Sequence, residues 1–200
     1  MKILRVLLII LILSGCEKHE SKKFANKKEV TDSDIYEIVN LVVKDADNGL
    51  KKEGIKRELY KYLLDRDYYG EVFNRADSTV FTKSDTVFSK EDLKFIAQQI
   101  KKRKKFKFKQ EYIREKVIIS ADTIQRMLEK KLTISNYDFY KAFEIRFGNT
   151  WYYTIGLPVF SLDKKTAFIK LDGFGSGHSM IYKKINGKWK LHCIISGWIA

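Results

Sequence analysis

Ile185-Asn186-Gly187-Lys188 constrains the fold of this 200-residue chain more than any other stretch. Asn-Gly tolerates two successive positive φ angles, so it closes a type I′ turn that joins antiparallel strands in two residues. Counting outward from that turn predicts Lys184 opposite Trp189, Tyr182 opposite Leu191, and Met180 opposite Cys193 on a core face. Ile181 with His192 and Lys183 with Lys190 fall on a wetter face, the pattern of a sheet buried on one side. The same period of two predicts strands over Thr150 to Ser161, Thr166 to Asp172, Met180 to Ile185 and Lys188 to Ile199.

Upstream of Gly148 the period is helical. Ile35, Ile38, Val39, Val42 and Val43 form one stripe behind a Thr31 or Ser33 cap, ending near Asp47-Asn48-Gly49. A second helix is expected from Lys52 to Leu64, leaving through Asp67 to Gly70. Ser89 with Asp92 has the spacing of a capping box for a helix to Arg103 that buries Leu93, Ile96, Ala97 and Ile100. Two more are expected: Asp122 to Lys131, burying Ile124, Met127 and Leu128, and Asn136 to Phe147, capped by Ser135. Residues 79–82 and 86–88 read as extended pieces. Helices first and hairpins last imply an α+β domain, with N-terminal helices packed on a C-terminal antiparallel sheet.

The N-terminus reads differently. Lys2 and Arg5 precede an unbroken apolar run, Val6 to Leu13, far short of the roughly 20 residues that cross a bilayer. Its end, Leu13-Ser14-Gly15-Cys16, resembles a bacterial lipoprotein signal. The resemblance implies cleavage before Cys16, a diacylglyceryl thioether on its sulfur and acylation of the new amino group. Residues 1–15 are then a signal peptide, 16–30 a lipidated Cys and polar tether, and 31–200 one domain. Two or three acyl chains hold a protein on a membrane almost permanently. The expected location is the cell envelope, at the outer membrane if the cell has one, because Glu17 is not the Asp that retains some lipoproteins at the inner membrane.

Cysteine and charge bound the chemistry. The chain has two cysteines, so lipidation of Cys16 leaves Cys193 without a disulfide partner, as a small core residue. A formal charge of +14 favours anionic lipid heads or acidic glycans, although lysine richness also follows from an AT-rich genome. The densest basic stretch is Lys101, Lys102, Arg103, Lys104 and Lys105, followed by Phe106-Lys107-Phe108-Lys109. It suits an anionic surface, or else a helix end and an edge strand with Phe inward and Lys outward. Nucleic acid is not an expected partner of an exported lipoprotein.

Asp172-Gly173-Phe174-Gly175-Ser176-Gly177-His178 is the other candidate site. Alternate glycines admit a ligand close to the backbone, and Ser176 and His178 add a hydroxyl and an imidazole. Gly175, Ser176, Gly177 and His178 are therefore candidate ligand contacts, the alternative being a glycine-rich connection between strands. Phe174 stands where a nucleophile elbow needs glycine, and no helix follows as a dinucleotide fingerprint demands. His19, His178 and His192 lack metal-site spacing, so no metal, cofactor or catalytic residue is assigned. Trp151, Tyr152 and Tyr153 cannot all face inward on one strand, which points to one or two exposed aromatic faces for sugar or protein contact.

The C-terminal portion resembles a group of uncharacterised bacterial lipoproteins of Bacteroidetes type. The shared features are Pro158-Val159-Phe160-Ser161, Asp163-Lys164, Ala167, the glycines at 173–177, Tyr182-Lys183-Lys184, Asn186-Gly187-Lys188-Trp189 and Trp198-Ile199. Ser89-Lys90-Glu91-Asp92 with Phe95-Ile96 is an upstream piece of the same pattern. The group often carries cysteines in its glycine-rich stretch, where this chain has none. The resemblance implies location and fold but no activity. The expected function is a non-catalytic binding or interaction module on the envelope, with membrane contact through the anchor and a protein or anionic envelope ligand as partner. The alternatives are an envelope hydrolase using Ser176 and His178, and an inhibitory or immunity-type lipoprotein.

Overall fold

The computed structural model describes residues 29–52, 54, 60–65, 87–173 and 175–199. The elements are α1 (Asp32–Lys52), β1 (Tyr60–Asp65), α2 (Lys90–Lys102), β2 (Val117–Ile119), α3 (Ala121–Thr133), α4 (Phe139–Phe147), β3 (Trp151–Ile155), β4 (Val159–Phe160), β5 (Thr166–Gly173), β6 (Ser176–Ile185) and β7 (Lys188–Ile199). Cys16, Asp67 to Gly70 and 79–82 lie outside the described residues, and Val87 and Phe88 form a turn rather than a strand.

The class is α+β, but the sheet is mixed. Its order is β2-β1-β3-β5-β6-β7, with β4 also paired to β5. β5, β6 and β7 run antiparallel, and so do β3 and β4 against β5. β1 instead lies parallel to both β2 and β3. This corrects the helix expected through Leu64. Tyr60, Tyr62, Leu63 and Leu64 suit a strand as well as a helix face, and partners at 117–119 and 151–155 decide between the two.

Adjacent strand residues point to opposite faces, so the parallel half is covered on both. Leu63, Ile118 and Tyr153 join α1 and α2 in one core; Leu64, Ile119 and Tyr152 join α3 and α4 in another. Ile35, Ile38, Val39 and Val42 are at most 1 % exposed, so the predicted α1 stripe faces the sheet. Each such side chain contributes about 1.5–3 kcal/mol when fully buried. Thr31 supplies the cap: its hydroxyl accepts from Asp34 N at 3.3 Å, while Asp34 accepts from Thr31 N at 2.8 Å. The helix runs one turn beyond the expected stop, to Lys52.

Ser89 and Asp92 form the predicted capping box on α2. The buried side of α2 is rotated from the expected one: Phe95, Ile96 and Gln99 are inside and Ala97 is exposed. Gln99 donates to the Phe160 carbonyl at 2.7 Å and accepts from Phe160 N at 3.1 Å, which fastens α2 to the two-residue strand β4. α3 buries Ile124 and Met127 but leaves Leu128 exposed, and Ser120 rather than Asp122 precedes it. Asp138, not Ser135, caps α4 by accepting from Tyr140 N and Lys141 N, so that helix starts later than expected. The long strand expected from Thr150 to Ser161 is broken over 156–158.

The hairpin forms as expected at its turn, with φ of +50° at Asn186 and +76° at Gly187. Lys184 pairs with Trp189, Lys183 with Lys190 and Tyr182 with Leu191. Beyond that the predicted register fails, because His192 is an extra residue: Ile181 faces Cys193 and Met180 faces Ile194. A bulge of this kind turns the strand and swaps the side-chain sequence beyond it. Ile181, expected on the wet face, is fully buried in a lateral row with Phe168 and Val159.

Candidate functional site

Gly175 lies in the β5–β6 turn with φ of +78°, and Ser176, Gly177 and His178 open β6. Strand alternation then divides these residues. Gly177 pairs with Asp172, and a Cβ on Gly177 would lie 1.8 Å from Asp172 Oδ1. The missing side chain is the room in which the Asp172 carboxylate sits, accepting from Trp198 Nε1 at 3.2 Å and pairing with Lys170 at 3.3 Å. Gly177 is thus explained by packing, as a glycine-rich connection would be.

Ser176 and His178 point the other way, toward α1. With Val42, Asp45, Ala46 and Gly49 of α1 they line a cleft of about 310 Å³ between that helix and the sheet. Leu171, Met180, Leu191 and Ile194 are among its apolar lining residues. Val42, Ala46 and Gly49 follow the helical period, so the α1 stripe continues here in progressively smaller residues and leaves space above the sheet. At the rim the Tyr182 hydroxyl donates to Asp45 Oδ2 at 3.0 Å. Burial pushes the Tyr182 phenol well above its ordinary value, and the Asp45 charge and hydrogen bond add to the effect. Sequence reasoning missed Asp45 and Tyr182; the signal was the polar Asp45 beside the shrinking Val42, Ala46, Gly49 stripe.

A second depression, of about 630 Å³, runs along Asp32, Tyr36 and Asn40 and residues 111–114. Its central amide is already used. The Asn40 amide donates to the Tyr36 and Tyr112 carbonyls at 2.9 Å each, and its oxygen accepts from Arg114 N at 2.9 Å. The smaller cleft, with an apolar lining and a few polar groups at its mouth, has the make-up of a ligand site.

Residues 101–105 end α2 and form the turn after it, as the helix-end reading expected, while 106–109 are irregular rather than an edge strand. Phe108 is buried and Phe106 half-buried against Tyr36, so the Phe-in, Lys-out reading of the side chains holds in irregular backbone. Two of the five candidates have internal duties. Lys102 pairs with Glu29 at 3.1 Å, and Arg103 donates to the Val30 carbonyl and faces Asp32 at 3.7 Å. Lys101, Lys104 and Lys105 are exposed.

The expected aromatic face at 151–153 does not form. Tyr153 is buried and stacked on Tyr60 at 4.5 Å, while Trp151 and Tyr152 are half-buried against Phe143. A shift in the β1–β3 register between Tyr60 and Tyr62 accompanies this, and α4 covers what a lone strand would expose.

Among the described residues, the most deeply buried charges form an ion pair that the sequence did not announce. Lys116 Nζ lies 2.8 Å from Asp47 Oδ2, both side chains being at most 2 % exposed. Lys116 also donates to the Tyr60 carbonyl, and the Tyr153 hydroxyl donates to Asp47 Oδ1 at 3.2 Å. The arrangement ties α1, β1, β3 and the segment before β2 together, and its role is structural.

Set against known protein families, curated proteins and solved structures, the chain matches none.

Proposed function

We propose that this chain is a lipid-anchored cell-envelope protein whose α+β domain is a non-catalytic binding module, taking a small apolar or amphipathic ligand in the cleft between α1 and the sheet. The observation that carries this reading is the cleft itself: an apolar lining, with Asp45, Ser176 and His178 contributing polar groups. The anchor rests on the lipobox ending at Cys16, and the C-terminal resemblance to bacterial lipoproteins agrees with it.

A hydrolase reading would need an acid to orient His178. Asp172, the neighbouring candidate, lies on the opposite face of the sheet and is engaged by Trp198 and Lys170, and Asp45, which shares the cleft with His178, accepts from the Tyr182 hydroxyl. An inhibitory lipoprotein would present a flat complementary face rather than a cleft.

The direct test is titration of the purified protein with a fluorescent fatty acid. Saturable binding is expected, weakened at least tenfold by Ala46→Leu, which fills the cleft from α1. Lack of saturable binding, or equal binding by folded wild type and Ala46→Leu, would refute a ligand of this class. The anchor is tested separately by the intact mass of the membrane-extracted protein, compared with Cys16→Ala.

A further inference from the structure

The basic stretch returns, in the fold, to the point where the chain enters the domain. Lys102 pairs with Glu29, Arg103 faces Asp32 and Lys164 pairs with Asp34 at 2.8 Å. One turn further along α1, Lys184 pairs with Glu37 at 3.2 Å. Four acids at the start of α1 are therefore each matched by a base. Asp163 nearby is engaged in its own turn, accepting from Ser161 Oγ at 2.7 Å and Lys165 N at 2.9 Å, and Glu111 sits further along.

What remains is a surplus of lysine. Lys101, Lys104, Lys105 and Lys107 are exposed and enter no ion pair among the described residues. Lys165 and Lys188 are exposed at the same end, because the Lys165 carbonyl accepts from Lys184 N and Lys188 opens the strand beyond the hairpin turn. The cleft is at the other end: α1 is 21 residues long, about 30 Å, and its lining residues Asp45, Ala46 and Gly49 come in the final turns.

Chain length limits where this end can go. Only residues 17–28 separate Cys16 from Glu29. A chain of that length reaches at most about 45 Å at full extension. Near an anionic surface each added lysine raises the partition by about fivefold, within a Debye length of roughly 8 Å.

Building on the lipid-anchored reading, we propose that the lysine-rich end of the domain rests on an anionic phospholipid surface, so that the cleft opens away from the membrane. The anchor limits the distance, and the unpaired lysines set the orientation.

Lysine acetylation, read by mass spectrometry, tests this on the lipidated protein in phosphatidylcholine vesicles with and without phosphatidylglycerol. Lys101, Lys104, Lys105 and Lys107 should react several-fold more slowly when phosphatidylglycerol is present, and high salt should restore their rates. Lys44 and Lys52, toward the far end of α1, should react alike on both vesicles. Equal rates for the 101–107 lysines on the two membranes, or protection of Lys44 and Lys52 instead, would overturn the orientation while leaving the anchor standing. An intact mass without diacylglycerol on Cys16 would remove the anchor, and the orientation with it.

Discussion

The two halves of the sheet are held by different kinds of information. In β5–β6–β7 every neighbour in space is also the neighbour in sequence, joined by turns of two residues. In β2-β1-β3 the partners of Tyr60–Asp65 come from 117–119 and 151–155, and the clamp is the buried Lys116–Asp47 pair with Tyr60 and Tyr153 around it. Short-range pairing is encoded in turn chemistry and alternation; long-range pairing depends on contacts that do not exist until the chain has collapsed. A change in the second half should therefore cost more than a change in the first.

Lys116→Met is the strongest test. It leaves Asp47 buried without the Lys116 cation, and a urea titration should show a loss of about 3–5 kcal/mol. Adding Asp47→Leu should restore much of that, because two well-packed apolar residues can replace a buried pair at little cost. A loss below about 1 kcal/mol for Lys116→Met would remove the clamp from the account.

Gly177→Ala comes next. Its Cβ would meet Asp172 Oδ1, so the Asp172–Trp198 hydrogen bond must shift, at a cost of about 1–3 kcal/mol and with a change in tryptophan emission. Unchanged stability and unchanged emission would mean that the notch is looser than its geometry says. Gly187→Ala places a side chain at φ +76° in the hairpin turn and should cost about 1–2 kcal/mol. If it cost as much as Lys116→Met, the contrast between the halves would fail.

The smallest effect is a pH dependence. Burial works to raise the Asp92 carboxyl, but hydrogen bonds from Leu162 N, Ser89 N and Ser89 Oγ outweigh it and hold it below the usual range. Asp34 behaves alike: burial opposes, and Lys164 together with Thr31 prevails. A depressed carboxyl stabilises the fold above its unfolded value, near 3.9, and loses that contribution as pH falls through the folded one. Stability should therefore fall with acidification below about pH 4, and Asp92→Asn should flatten that slope. An unchanged slope in Asp92→Asn would dissociate the capping box from the acid response.

Legibility followed the same division. The Ser89–Asp92 box, the α1 stripe, the Asn186-Gly187 turn and the helix stop at Gly148 were all readable, because each is decided within a few residues. The candidate site was half readable. Ser176 and His178 do line a cleft, yet the partners that complete it, Asp45 and Tyr182, come from a helix more than 120 residues upstream and from further along β6. Gly177, grouped with them by sequence, serves the opposite face.

By itself the sequence determined the α+β class, the caps at Thr31 and Ser89, the Asn186-Gly187 turn and the sidedness of α1, since caps, turns and stripes are local hydrogen-bonding and hydrophobic choices. Only the tertiary structure decided that Tyr60–Asp65 is a parallel strand, that His192 bulges, that Trp151 and Tyr152 are covered by α4, and that a lysine-rich run returns to the domain entrance. Those outcomes depend on which distant surfaces meet, and burial free energy is shared among residues that no local window contains.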